Sequence, residues 1–462
     1  MKRFWLAWAG FLFFGFCGAA AAAGDGPFVT DVPLLEERHL AAGFWLGRMN
    51  DGDTLLLGPD RIAPRNAETF RLQKEMRPLA ELPGQYSRAE LTGIIRRVSA
   101  VPEATRFYAD GRPLTPADWE RYRANLALTA LPEENPLRFG LVVKRAPLRA
   151  FPTDERVFSQ ALDPDLDRFQ ETGLFPAEPV AVLHGSADGR WLLVQSYNYT
   201  GWVRREHVAT GPRRQVLDYA ERTPFLTVTG ARVFTSYNPE EPALSELQLE
   251  MGVRLPLLTA GETGFSVHGQ NPVASRIVQL PVRAADGSLV LSPALLPRGS
   301  DVHEGYLPYT PANIVRQAFK FLGERYGWGH DYNGRDCTGF IGEVYRSFGL
   351  LMPRNSGEQG RGEYGRNIRF APQLPAREKL KTVLAGQPGD LLYLPGHAAM
   401  LLGQVDGQPF IIHDVKGLSY RDPSGALYRG TLNGVAITPL LPLLASTGEG
   451  YLDLLYAVKS LR

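Results

Sequence analysis

Cysteine is nearly absent from this chain: 462 residues contain two, Cys17 and Cys337. Two thiols cannot form a disulfide scaffold, and no Cys-x-x-Cys or His-x-x-x-His spacing is present to hold a structural zinc. Net charge is equally scarce, with 50 Lys plus Arg against 49 Asp plus Glu and a formal charge of +1. Without a global basic field or a block of like charge, no nucleic-acid partner is expected. Long apolar runs are confined to the first 23 residues, and nothing of membrane-spanning length follows them. What the chain has in quantity is glycine, 48 residues, and proline, 36, which favour many turns and strand-rich modules. An apolar fraction of 44% is enough to bury several cores, in about three or four domains.

Lys2 and Arg3 precede an apolar run from Phe4 to Phe16, and Ala19 to Ala23 lead into Gly24-Asp25. This is the pattern of a secretory signal peptide, residues 1–23, cleaved near Ala23. An uncleaved anchor is the competing reading, and Phe16 is a poor predecessor for lipidation at Cys17. Cleavage predicts a protein secreted across the inner membrane, periplasmic or associated with the cell wall, with no membrane contact afterwards. Cys337 is then the lone thiol of the mature protein in a compartment where most cysteines pair. A lone cysteine is ordinarily an inert buried one, so its surroundings have to decide.

The rest of the chain divides by pattern. Residues 27–135 read as a mostly helical N-terminal region, with Trp119, Tyr122, Leu126 and Leu128 at helical spacing. Residues 136–215 carry short apolar runs, Gly140 to Val143, Val180 to Leu183, Trp191 to Val194 and Gly201 to Val203, the signature of a small barrel. The turn Ser186-Ala187-Asp188-Gly189-Arg190, a Trp-led strand and a later Gly-Trp-Val resemble a bacterial SH3 domain. Tyr197, Tyr199 and Trp202 alternate along this stretch, which packing explains better than a binding strip. Residues 216–300 read as a second SH3-like module, and residues 301–462 as the last domain. His184, His207, His268 and His303 lack convergent partners and are expected to be structural or exposed.

Chemistry concentrates after Pro311. Ile314, Ala318, Phe319 and Leu322 mark a core-facing helix that stops at Gly323. A glycine-rich aromatic loop follows, from Tyr326 to His330, and then Asn333-Gly334-Arg335-Asp336-Cys337-Thr338-Gly339-Phe340. Phe340, Val344 and Phe348 mark a second helix with Asp336 as N-cap, which places Cys337 in the first turn. There the free N–H groups and the macrodipole favour thiolate over thiol. Downstream, Gly396 to Gly403 and Phe410 to Val415 form a hairpin about Asp406-Gly407, bringing His397 and His413 near each other. A cysteine, a base and an orienting group make an acyl-transfer site.

These residues resemble the NlpC-type papain-like cysteine peptidases of bacterial cell walls, from about Thr310 to the C-terminus. The resemblance rests on Tyr326-Gly327-Trp328-Gly329, Asp336-Cys337-Thr338-Gly339-Phe340, Pro388-Gly389-Asp390-Leu391, Gly396-His397 and His413. It implies an α+β papain-like catalytic domain, preceded here by two small all-β SH3-like barrels and a mostly helical N-terminal stabilising region. By position it makes Cys337 the nucleophile, His397 the base, His413 the orienting member, and Tyr326 a donor that joins the Cys337 N–H at the oxyanion. Tyr326 read from the sequence alone is equally a packed loop aromatic. Two departures stand out: Thr338 where Ser is more frequent, and His330 in place of the second Gly of a Trp-Gly-Gly pattern.

The multidomain branch of this family cleaves the γ-D-glutamyl bond to the diamino acid, typically meso-diaminopimelate, of peptidoglycan stem peptides. In Pro353-Arg354-Asn355-Ser356, members that recycle free stem peptides resemble Arg-Asp-Ser, with a carboxylate for the L-Ala ammonium. A neutral Asn355 suits instead the amide present when the stem stays on muramic acid, with Ser356 as a backbone-like recognition partner beside it. An Asn355 that merely caps a turn is the plain alternative. The implied protein is a thiol endopeptidase acting on peptidoglycan, with no metal, no diffusible cofactor and a monomeric state. Acyl transfer to another acceptor, recycling of free stem peptides, and noncatalytic wall binding are the other readings.

Overall fold

The computed structural model describes residues 28–462; the expected signal peptide and Cys17 lie outside the described residues. Among the described residues, no helix is long and apolar enough to cross a membrane.

The N-terminal region is helical in four pieces, α1 (Ala42–Leu46), α2 (Pro59–Leu72), α3 (Arg88–Val98) and α4 (Pro116–Asn125). Local chemistry starts the last two: Ser87 with Glu90, and Thr115 with Asp118, form reciprocal capping boxes. The region has no single core of its own. Trp45 and Ile62 join the core of the C-terminal domain, whereas Leu91, Ile95 and Tyr122 join that of the strand-rich modules. Trp119 and Tyr122 of α4 stack on Phe151 and Phe169, the spacing expected of a helix now seen to serve the neighbouring barrel. A short pair, β1 (Gln85–Ser87) with β2 (Glu134–Pro136), closes the region.

The first module is an antiparallel sheet of seven strands: β3 (Arg138–Val142), β4 (Ala146–Arg149), β5 (Gln170–Leu174), β6 (Pro179–Gly185), β7 (Trp191–Gln195), β8 (Thr200–Arg204) and β9 (Val208–Gly211). Both of its faces are buried. Val180, Val182, Leu192, Val194 and Val203 fill its own interior, while Ala181, Trp191, Leu193 and Trp202 face the N-terminal helices. Burial on both sides explains why β7 reads as a continuous apolar run.

After α5 (Arg213–Glu221), the second module splits into three small sheets. They comprise β10 (Phe225–Val228), β11 (Arg232–Phe234), β12 (Gln248–Glu250), β13 (Arg254–Pro256), β14 (Ser275–Arg283), β15 (Leu289–Pro297) and β16 (Val302–Glu304), with the one-turn α6 (Ala260–Thr263) between them. Because β16 pairs with β10, this module runs past residue 300, where the sequence pattern ended it.

The C-terminal domain packs α7 (Pro311–Phe319), α8 (Cys337–Arg346), α9 (Ser356–Arg361), α10 (Ala376–Leu384) and α11 (Tyr451–Leu454) around one sheet. Its strands are β17 (Arg366–Arg369), β18 (Leu391–Leu394), β19 (His397–Val405), β20 (Gln408–Arg421), β21 (Leu427–Pro439) and β22 (Ala457–Ser460), in the order β17-β22-β18-β19-β20-β21. Asp406 and Gly407, with φ of 50° and 77°, form the tight turn between β19 and β20. Alternate residues of β19 face opposite layers: Ala398, Met400 and Leu402 meet Phe340 and Val344 of α8, and Ala399 and Leu401 meet Val383 and Leu443. The start of β19 is thereby laid against the start of α8.

Candidate active site

The site is assembled at the first turn of α8. Asp336, in extended backbone, caps that helix by accepting the Gly339 N–H at Oδ1, 2.9 Å. Its other oxygen accepts the Gly329 N–H at 3.1 Å and Arg354 Nη2 at 2.7 Å. Burial opposes the Asp336 charge, but Arg354, His330 and these N–H donors hold its carboxyl well below the usual range. Cys337 follows as a free thiol, 8% exposed.

The two histidines meet as expected. His397 Nε2 and His413 Nδ1 are 2.9 Å apart, and His413 Nε2 is 3.0 Å from Thr438 Oγ1. A relay in which His413 Nε2–H donates to Thr438 and His397 Nε2–H donates to His413 leaves Nδ1 of His397 with a free lone pair. Burial lowers His397 to about 4, and burial with the neighbouring ring pushes His413 well below its ordinary value, which favours neutral imidazoles. Tyr326 is buried in the loop before α8; burial, and then Asp336 and Cys337, raise its phenol, which stays a proton donor.

The thiol departs from what its helix position suggested. Burial, and then the carboxylates of Asp336 and Asp414, push Cys337 up to about 12, against the thiolate that its helix position favours. Cys337 and His397 are both pushed toward their neutral forms in the substrate-free site.

Beneath the nucleophile lies a buried ionic network that sequence patterns did not disclose. Arg354 donates through Nε to Thr172 Oγ1 at 2.6 Å and through Nη1 to Thr338 Oγ1 at 2.7 Å, so the Thr at 338 is itself a partner. His330 Nε2 donates to Glu343 Oε1 at 3.1 Å, and Arg335 Nε to Glu343 Oε2 at 2.7 Å. His330 sits at φ 66°, a conformation glycine adopts freely and a side chain tolerates only when locked. The lock comes from the first module: Gly173 N–H donates to His330 Nδ1 at 3.3 Å, and Gln170 Nε2 to Gly329 O at 2.6 Å. Gly339 is required in return, because a Cβ there would meet the His330 ring at 2.7 Å.

The remaining expected residues lie at the edge of this arrangement. Asn355 is the N-cap of α9, sharing a capping box with Glu358, and its Nδ2 donates to Glu358 Oε1 at 2.9 Å. Ser356 begins that helix, and its carbonyl accepts the Tyr456 hydroxyl at 3.3 Å. Of the aromatics on the barrel, Trp202 is fully buried packing, while Tyr199 donates its hydroxyl to Glu171. Burial, and then Glu171, raise the Tyr199 phenol, with Arg354 opposing and Glu358 adding to the rise. His184 and His268 bond backbone carbonyls of Leu126 and Pro293, away from the thiol. Tyr451 was not singled out by any pattern, yet its ring lies 5.9 Å from that of His397.

Residues 323–436 match the NlpC/P60 family, and residues 156–204 match the SH3 domain of SH3b1 type. The chain is 29% identical over 168 residues to the gamma-D-glutamyl-L-lysine dipeptidyl-peptidase of Bacillus cereus, covering 35% of this chain and 44% of that protein. It is 31% identical over 93 residues to dipeptidyl-peptidase 6 of Lysinibacillus sphaericus, covering 20% of this chain and 29% of that one. The matched part thus spans less than half the length of either relative. The structure of an NlpC/P60 endopeptidase from Photobacterium damselae subsp. piscicida shares the fold, with a TM-score of 0.71 at 17% identity over 90% of this chain and 96% of that one. The C-terminal domain is an NlpC/P60 domain, and an SH3 domain of the SH3b1 type precedes it.

Proposed function

We propose that this chain, through its NlpC/P60 domain, is a thiol endopeptidase of peptidoglycan stem peptides that cleaves the bond from γ-D-glutamate to diaminopimelate. The observation that carries the reading is the 2.9 Å contact between His397 Nε2 and His413 Nδ1 beside the helix that begins with Cys337. His397 Nδ1 takes the Cys337 proton as sulfur adds to the γ-carbonyl carbon. The Cys337 N–H and the Tyr326 hydroxyl hold the resulting oxyanion. On collapse the carbon–nitrogen bond breaks and the amine leaves with the proton from His397. Water, activated by the same imidazole, then hydrolyses the thioester and restores the thiol. The SH3 module and the signal-peptide pattern fit a substrate outside the cytoplasm, in the periplasm or cell wall.

Asn355, neutral where a carboxylate would pair an ammonium, favours stems still attached to glycan. A second reading, peptidase action on free stem peptides with an N-terminal L-Ala, is favoured by Glu171. This largely buried carboxylate is bonded to Tyr199 and has no cationic side chain donating to it, and Glu358 adds a second carboxylate beside Asn355. Purified mature protein given sacculi and free L-Ala-γ-D-Glu-diaminopimelate in parallel, with products read by mass spectrometry, separates the two. Release from sacculi supports the first; cleavage of the free peptide alone supports the second. Products that persist in Cys337→Ala would overturn the thiol mechanism, and their absence in the wild type would leave transfer to another acceptor or wall binding.

A further inference from the structure

The base of a thiol peptidase stands on the leaving-group side of the scissile bond, because it must hand its proton to the departing nitrogen. A side chain packed against His397 therefore stands to border the amino acid that is released. That neighbour is Tyr451. Its ring meets His397 at 5.9 Å and 61° and His413 at 6.4 Å and 85°, an edge contact with both members of the relay. Tyr326, the other tyrosine near the sulfur, rises from the loop before α8 and serves the oxyanion.

Tyr451 is held in place by its own segment. Leu440 and Leu443 are buried anchors, Leu444 N–H donates to Ser419 O at 2.8 Å, and Tyr451 N–H donates to Leu443 O at 2.9 Å. The ring is therefore fixed by backbone pairing to the sheet. Among the described residues nothing hydrogen-bonds the Tyr451 hydroxyl, and its oxygen is not among the sealed, unpartnered polar atoms. Burial, and then Cys337, push the phenol up to about 12, so it stays a donor. The site thus presents one free donor beyond the base.

We infer that the Tyr451 hydroxyl donates a hydrogen bond to the carbonyl or carboxylate oxygen of the amino acid whose nitrogen is released. That group lies two bonds from the departing nitrogen and is the nearest acceptor every such residue carries. A neutral donor accepts both a terminal carboxylate and the amide carbonyl of a continuing chain, whereas a guanidinium there would select the terminal form. Tyr451 is on this account a binding residue for the diamino acid, and the inference rests on the thiol mechanism proposed for Cys337.

The test compares two acyl-identical substrates on the full chain: L-Ala-γ-D-Glu-diaminopimelate and L-Ala-γ-D-Glu anilide, whose leaving amine bears no carbonyl. Tyr451→Phe keeps the ring on the histidines and removes only the hydroxyl. We expect kcat/KM on the peptide to fall roughly 10- to 100-fold, the range of one hydrogen bond to a charged or strongly polar acceptor, with the anilide changed less than about twofold. Tyr451→Leu, which also strips the ring, should lower both. Equal losses on the two substrates in Tyr451→Phe, or an unchanged peptide rate, would overturn the inference while leaving the thiol mechanism standing. Turnover that survives Cys337→Ala would remove the mechanism itself and the inference with it.

Discussion

Arg354 joins the cap of the helix that begins with Cys337 to a different domain: its Nη2 lies 2.7 Å from Asp336 Oδ2 while its Nε lies 2.6 Å from Thr172 Oγ1 of the SH3 module. All three side chains are buried, so the guanidinium has no water to turn to if one partner goes. Truncating one member of such a network leaves an uncompensated donor, at about 1–3 kcal/mol for a hydrogen bond.

Thr172→Val, an isosteric change with no contact to substrate, should therefore lower kcat and destabilise the protein by that amount. Thr172→Ser should restore both, since it returns the acceptor. Steady-state kinetics and thermal melts on the pair decide it. A Val variant with wild-type kcat would mean that the barrel does not position the cap.

The histidine relay predicts a graded pair of effects. His413→Leu removes the partner of His397 Nε2 and should cost roughly 10²- to 10⁴-fold in kcat with KM little changed, the size of an orienting group in a nucleophile–base site. Thr438→Val removes only the acceptor at His413 Nε2, 3.0 Å away, and should cost about tenfold or less. Equal losses in the two variants would contradict the order of the relay.

Because burial and the carboxylates of Asp336 and Asp414 raise Cys337 to about 12 and burial lowers His397 to about 4, the free enzyme holds no preformed ion pair. Alkylation of Cys337 by iodoacetamide should be slow at neutral pH and climb steadily into the alkaline range. A fast plateau extending below pH 7 would show a thiolate–imidazolium pair instead.

Asp414 is fully buried, and neither of its carboxyl oxygens has a partner among the described residues. Burial, then Asp336 and Glu324, raise its carboxyl well above the ordinary 3.8, with Arg335 the opposing charge. The folded state therefore binds a proton that the unfolded chain releases. The stability this lends is present below the unfolded value and is lost as pH rises through the raised native one. Asp414→Asn keeps the shape without the proton, so its Tm should exceed that of the wild type at pH 8 and converge with it near pH 3.5. At roughly 2–4 °C per kcal/mol for a domain of this size, the gap is measurable by calorimetry. A gain independent of pH would assign it to packing.

Local features of the site were legible in the chain because neighbours in sequence create them. Asp336 caps the helix three residues ahead of Gly339, Asp406-Gly407 turns the hairpin, and the contact of His397 with His413 follows from a two-strand ladder. Hydrophobic period likewise announced α7, α8 and the barrel strands. Tertiary structure alone decided the rest. Thr172 and Arg354 are 182 residues apart and meet only because the barrel docks on the loop before the nucleophile. Tyr451 reaches the histidines only because its segment is pinned to β20. The N-terminal helices, one unit by composition, divide between two cores because each half has an apolar face and no partner of its own. The state of the thiol turned on the same distinction. A helix start argues for thiolate through the N–H groups of a single turn, whereas burial, the adjacent Asp336 and the Asp414 that the fold brings in push the thiol up, since desolvation and charge act through space.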